Sequence, residues 1–470
     1  MSRLPEISKE RVLPTLNQDG TRRRIRPKLY KGSLYTKRFV FAWGLMVLFV
    51  ALPLIRIGGM PAVFLDVISR EFTFFGTTFL ATDGVLLMFL MLIIFVGIVA
   101  LTAIVGRAWC GWACPQTVYM EFFFRPVERF FEGDRNAQLR IDKRGLNLRR
   151  VLKNLVFVLM SIFVANVFLA YFVGVEALAR WISSPPSQHF SGFLVMGATA
   201  ALVFLDFAYF REQMCTVVCP YARLQAALLD KNSLIIGYEG KRGEPRHKGK
   251  SRPGDGDCVD CSACVVACPT GIDIREGLQL ECIACGQCID ACNSIMPKVK
   301  KAPDLIHYAS ENALGGKTSK VLRPRVFAYG ALLITLISLL FLFGSKRGNA
   351  DITVLRGIGA PFVLEGEMVR NQVRVKVENR ERKEASFQIE VLIGHGKDVR
   401  SAEQAGIQVI IPENPLQVAG RGRRTTSLFV VAKREHFESG RLPIVVRVRS
   451  TTHDIQNIKY HLLGPQGSGK

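Results

Sequence analysis

The chain has 470 residues, 62 of them Lys or Arg against 39 Asp or Glu, for a formal charge of +23 with 49% hydrophobic residues. A length of this order fits about two to four domains, and so large a basic excess calls for a polyanionic partner, either nucleic acid or an anionic membrane surface. Long apolar runs with basic clusters between them exclude nucleic acid in favour of membrane lipid, and 12 cysteines confined to three places, none after Cys292, exclude a disulfide framework.

Residues 1–38 are polar and rich in Arg and Pro, with Arg22, Arg23, Arg24, Arg26 and Lys28 at their centre. Such a tail is expected to be disordered and held at an anionic leaflet. A cleavable signal peptide needs its apolar core nearer the start, so the first apolar run is expected to remain as a true span. Runs at 39–55, 84–105, 155–173, 192–210 and 326–344 each approach the ~20 residues that a helix needs to cross the hydrocarbon core. Residues 1–38 hold eleven Lys and Arg and 106–154 hold ten, whereas 56–83 hold only Arg56 and Arg70 and 174–191 only Arg180. The positive-inside rule therefore puts the N-terminus, the 106–154 loop and the 211–325 segment in the cytoplasm, and an odd number of spans sends the C-terminus to the periplasm of a bacterial inner membrane.

The 211–325 segment holds Cys258, Cys261, Cys264 and Cys268, then Cys282, Cys285, Cys288 and Cys292. Each half is the C-x2-C-x2-C-x3-C run of two-cluster ferredoxins, in which three thiolates hold one cube and the fourth reaches across to the other. Cys258, Cys261, Cys264 and Cys292 are thus expected to bind one [4Fe–4S] cluster, and Cys282, Cys285, Cys288 and Cys268 the second, in a ferredoxin domain at about 250–300. Two structural zinc sites are the alternative for thiolate tetrads. Asn293 stands after Cys292 where a proline is usual, which weakens the helix-start signal but leaves the ligands intact. The basic linker ahead of them, from Lys241 to Gly254, reads as a solvated loop by its Gly and Pro content, with docking of an anionic headgroup or an acidic electron donor as the other reading.

After the fifth run, residues 351–464 change to alternating strands such as 373–377, 387–391 and 445–449, separated by turn-rich segments. Strands at this spacing predict a β-sandwich of immunoglobulin-like size. The whole is therefore a multidomain membrane protein: a five-helix transmembrane bundle, a cytoplasmic bacterial-type 2[4Fe–4S] ferredoxin insert, and a C-terminal immunoglobulin-like β-sandwich.

At the cytoplasmic ends of the second and fourth runs stand Cys110 with Cys114 and Cys215 with Cys219, each pair a C-x3-C-P motif. An i, i+4 spacing puts both sulfurs on one helix face, and the proline frees the carbonyls of Gly111 and Thr216 one turn back. Arg107 and Arg211 nearby would favour thiolate. Buried cysteines that merely pack are the plain reading of one pair; two pairs beside a ferredoxin insert favour a redox or metal role. Four soft ligands suit Cu(I), with a third iron–sulfur centre or a dithiol/disulfide couple as alternatives, and Met120 and Met214 within reach as thioethers or as packing. No histidine lies in the five spans, which argues against transmembrane b-type haem. Asp206, inside the fourth, is either a proton carrier or a hydrogen-bonding partner of a neighbouring helix.

With these pieces in order, the chain resembles the cytochrome c oxidase accessory protein family, the CcoG, FixG or RdxA type of membrane ferredoxin. The resemblance rests on five spans, W-C-G-W-x-C-P at 109–115, M-C-x-x-V-C-P at 214–220, the doubled cluster motif at 258–292 and the sandwich after 351. It implies a role in maturation of cbb3-type cytochrome oxidase, with Cu(II) reduced to Cu(I) for the oxidase's copper site. It also implies cluster ligation by the eight ferredoxin cysteines, copper handling by Cys110, Cys114, Cys215 and Cys219, and as partners the oxidase subunits or copper carriers together with a cytoplasmic electron donor. A quinol-linked electron conduit of the nitrate or nitrous-oxide reductase accessory type, and a non-catalytic assembly scaffold, are the rival expectations.

Overall fold

The computed structural model describes residues 11–13, 15–17, 19, 21–80, 83–145, 147–249, 252–345, 348–381, 383–395, 398–450 and 455–465. Residues 1–10 of the basic tail and Lys250 and Ser251 of the basic linker lie outside these. The chain divides into two compact units, Met1–Leu340 and Phe341–Lys470.

Among the described residues, five helices are long and apolar enough to cross a membrane: Ser33–Ala51, Gly84–Val105, Leu148–Val173, Phe190–Phe210 and Pro324–Ser345. Large apolar side chains such as Val40, Ile94, Leu202 and Ile334 stand exposed along them, as lipid-facing surface requires. The first helix starts at Ser33 and not at Phe39 because the Asp290 carboxylate accepts hydrogen bonds from the N–H groups of Leu34 (3.2 Å) and Tyr35 (2.7 Å), two of the orphan donors of its first turn. It stops at Ala51, short of Ile55, where Pro53 denies the next turn a donor. The third begins at Leu148 and not at residue 155, since Arg150 and Lys153 find Glu132 at 3.3 and 3.0 Å and are neutralised inside its first turns.

The N-terminal tail is a further correction, for its described residues 21–32 are docked along the protein and are not a free chain. The Lys28 N–H donates to the Val266 carbonyl at 2.9 Å, and Arg26 is 6% exposed among Glu128, Glu132 and Asp142. Basic residues there are held by buried carboxylates, which outweigh the polar composition that suggests disorder.

In the ferredoxin segment, strand Ile235–Tyr238 pairs antiparallel with Ile306–Ala309 and closes a small fold over two short helices, Ala263–Ala267 and Gln287–Asn293. Ile236, Ile272, Ile274, Ile289 and Ile306 form its apolar centre together with Cys264 and Cys288.

Among its described residues the second unit is a sandwich of two five-stranded sheets. In one, Met368–Asn379 lies between Ala350–Arg356 and Arg423–Lys433; in the other, Ala385–His395 pairs with Arg441–Ser450, which pairs with Ile455–Leu463. Alternation decides the faces: Val369, Val373, Val375 and Val377 are buried while Arg370, Arg374 and Lys376 point outward. With no cysteine or tryptophan after residue 351, this unit rests on packing alone.

Candidate functional site

The two halves of the cysteine motif fold alike. Asp260 and Ser262 in the first, and Ala284 and Gly286 in the second, take positive φ on either side of the middle cysteine, so each loop curls its three thiols around one point. Gly286 (φ +76) also faces Leu34, and a Cβ there would meet that side chain at 2.9 Å. Beyond each loop a short helix carries the fourth cysteine away. Cys268 ends the first helix in extended backbone ahead of Pro269, as the residue before a proline must. Cys292 stays helical because Asn293 allows it, and the Asn293 amide instead pairs with Asp304 at 2.8 Å.

Cys258, Cys261, Cys264 and Cys292 line one pocket, and Cys268, Cys282, Cys285 and Cys288 line a second, with Cys264 touching both. Four thiols around each space are the donor set of a four-iron cluster. No group of three or more His, Cys, Asp or Glu among the described residues closes tightly enough to hold a single metal ion. Burial pushes the Cys264 and Cys282 thiols up to about 12 and those of Cys285 and Cys292 to about 11, with neighbouring thiols adding to the shift. Metal loading must therefore displace protons that these thiols hold firmly.

The two centres differ in surroundings. Cys261 of the first is exposed to solvent. The second is buried against the membrane helices: Ile283 and Cys285 pack on Cys110, with Cys215 alongside. Around this contact the Arg38 Nε donates to the Gly111 carbonyl at 3.0 Å, the Tyr308 hydroxyl donates to the Ala284 carbonyl at 2.7 Å, and the Trp112 indole donates to that hydroxyl at 3.2 Å. The carbonyl of Gly111, expected to be freed by Pro115, is thus taken by an arginine.

The C-x3-C-P cysteines do not lie on one helix face as their spacing suggests. Cys110 sits in the short helix Ala108–Trp112, but Cys114 is extended and opens a new helix at Pro115; Cys215 lies in a π-helical turn, and Cys219 is extended before Pro220. Each proline restarts the helix and does not merely loosen it. The break still gathers the four thiols, which lie near enough to feel one another's charge. Burial pushes Cys110 up to about 11, against the opposing pull of Arg107, and Cys215 to about 12. Arg211 does not favour thiolate here, because Glu128 holds its guanidinium at 2.7 and 2.9 Å. Cys110 donates to the Gln225 amide oxygen at 2.8 Å. Met120 packs among Phe124, Phe157 and Phe207. Asp206 accepts from the Gln116 amide at 3.0 Å.

Sequence reasoning missed Arg38, Asp290, Gln225 and Tyr308. Arg38 alone carried a signal, as a charge just inside a helix; the others are ordinary polar residues until the fold assembles them.

Membrane helices joined to paired thiolate-rich cavities define a membrane-bound iron–sulfur electron-transfer protein. Known proteins narrow this further. A 4Fe-4S dicluster domain description matches residues 210–311, a 4Fe-4S binding domain description 87–134, and the IG-like fold at the C-terminus of FixG 340–465. Nitrogen fixation protein FixG of Rhizobium meliloti is 35% identical over 413 residues, covering 78% of this chain and 75% of its own length. Proteins RdxA and RdxB of Cereibacter sphaeroides are 34% and 32% identical, covering 75% and 70% of this chain and 78% and 72% of their own lengths. The chain belongs to the FixG/RdxA family.

Proposed function

We propose that this protein passes single electrons from a cytoplasmic donor to Cu(II) at Cys110, Cys114, Cys215 and Cys219, releasing Cu(I) for the copper site of a cbb3-type cytochrome oxidase during assembly. The observation that carries the reading is the packing of Cys110 and Cys215 on Ile283 and Cys285. Bound at the eight ferredoxin cysteines as grouped above, [4Fe–4S] clusters supply one-electron storage at low potential. The chain's own contribution is to press the 282–285 loop onto the Cys110 turn and, by burial, to raise the pKa of the Cys110, Cys114 and Cys215 thiols, whose protons a soft metal must displace. Copper binding requires those thiols to rotate inward, since no single-ion site is closed among the described residues. Cu(I), the product, is the form that thiolates and thioethers retain.

The clusters of purified protein are reduced with dithionite, excess reductant is removed, and Cu(II) is added with a Cu(I)-specific chelator. Stoichiometric Cu(I) with matching cluster reoxidation is expected, and its loss when all four cysteines are replaced by serine in protein of unchanged iron content. Equal Cu(I) from the serine variant removes the membrane thiols from the reaction; oxidation by a quinone but not by Cu(II) supports the conduit reading. A third iron–sulfur centre at the four thiols is a second reading, favoured by the 4Fe-4S binding domain match that spans Cys110 and Cys114; iron analysis of about twelve per chain in place of about eight would establish it.

The basic clusters between spans support a cytoplasmic ferredoxin segment and a periplasmic sandwich. Protease added outside spheroplasts is expected to remove the sandwich and spare the ferredoxin segment; the reverse pattern inverts the orientation.

A further inference from the structure

Two arginines at the contact between the second cysteine centre and the membrane thiols are buried without a carboxylate partner among the described residues. Arg38 is 1% exposed; its Nε is taken by Gly111, its guanidinium lies 5.3 Å from the Phe122 ring centroid, and Nη1 and Nη2 have no hydrogen-bond acceptor among the described residues. Arg107 is 4% exposed; one Nη donates to the Leu280 carbonyl, and its Nε has no acceptor among the described residues. Buried arginines nearby are treated differently, for Arg26 and Arg211 each meet Glu128 and Arg125 meets Glu121. Glu121 is taken by that pair.

A buried cation without a counter-charge is costly, and a fold that retains two beside one centre needs an anion there. The second centre supplies it. Arg38 is bonded to Gly111, whose Cβ position lies 2.5 and 2.8 Å from the Ile283 and Ala284 carbonyl oxygens of the second cysteine loop, and Arg107 is bonded to the Leu280 carbonyl, two residues before Cys282. Four thiolates around a four-iron core carry net negative charge, and reduction adds one unit more. At the first centre the corresponding cation, Arg275, is already neutralised by Asp260 and Asp273, both at 2.6 Å.

We propose that Arg38 and Arg107 are the counter-ions of the second cluster and set its potential above that of the first, so that an electron entering at exposed Cys261 collects beside Cys110. The step is an internal one-electron transfer in which the first cluster is oxidised and the second reduced. The inference rests on cluster binding by the eight cysteines, which iron and sulfide analysis checks separately.

The test is an EPR-monitored redox titration of the full chain in detergent, as wild type, Arg38→Gln, Arg38→Lys, Arg107→Gln and Arg107→Lys. In the Gln variants one cluster is expected to fall in potential until its reduced-to-oxidised ratio at the wild-type midpoint is about tenfold lower, which is 59 mV for one electron. The other cluster and both Lys variants stay near wild type. Loss of one cluster from the Gln variants but not from the Lys variants is the same result in stronger form. Unchanged midpoints at full iron content, or equal loss in Gln and Lys variants, overturn the proposal.

Discussion

Replacing Gly111 by valine is expected to leave both ferredoxin clusters in place and to slow electron delivery to the membrane thiols severalfold, because the loop and the turn between which the electron passes are forced apart. A Cβ at Gly111 would meet the carbonyl oxygens of Ile283 at 2.5 Å and Ala284 at 2.8 Å. Both are main-chain atoms of the loop that presents Cys282 and Cys285, so neither can swing aside as a side chain would. The loop and the Cys110 turn must separate, while the thiols within each keep their arrangement. Stopped-flow reoxidation of pre-reduced protein by Cu(II) reads the rate, and iron analysis confirms the clusters. Gly97→Ala is the control, because a Cβ there has nothing within 4 Å. A wild-type rate in Gly111→Val would show that close approach at this point does not govern transfer.

Glu128→Gln is expected to cost roughly 3–5 kcal/mol, the range for breaking a buried pair from one side. Glu128 is 2% exposed and receives both Nη groups of Arg211 at 2.7 and 2.9 Å, together with Arg26 and, at 3.8 Å, Lys153. Burial would raise its pKa, but Arg211, Arg26 and Lys153 hold it well below the usual carboxylate range. A carboxylate depressed in this way contributes its stability in full above its unfolded value of 4.5 and loses it only as pH falls through the lower folded one. The deficit of the variant should therefore be constant across neutral pH and shrink only in strong acid. Chemical denaturation midpoints at pH 7 and pH 5 check this. A midpoint unmoved at both would mean that Glu132, Glu212 and Asp142 suffice for the cations.

Features with a fixed spacing were legible beforehand: the doubled cysteine run, the apolar lengths and the alternating strands each repeat at a period set by backbone geometry. What the sequence concealed are pairings across long separations. Arg38 reads as the end of an apolar run, since charge is how such a run is delimited; only the Gly111 carbonyl, broken out of its helix by Pro115, makes a place for it inside. The tail read as disordered because its composition is polar and basic, and nothing local announces that Glu128 and Asp142 lie in wait for Arg26. For the C-x3-C-P pairs, spacing gave a helix face while the proline rule gave a break, and the break won at both sites.

The hydrogen bonds from Leu34 and Tyr35 to Asp290 join residues 256 and 255 apart in sequence. Asp290 lies between Cys288 and Cys292, on the second of the two short helices that follow the cysteine loops. A ribosome releases the first helix long before that segment exists, so the start of the first span waits for its cap through the synthesis of three further spans. The clasp can close only once the second cysteine loop has taken its final shape, which links anchoring of the earliest part of the chain to completion of a late one.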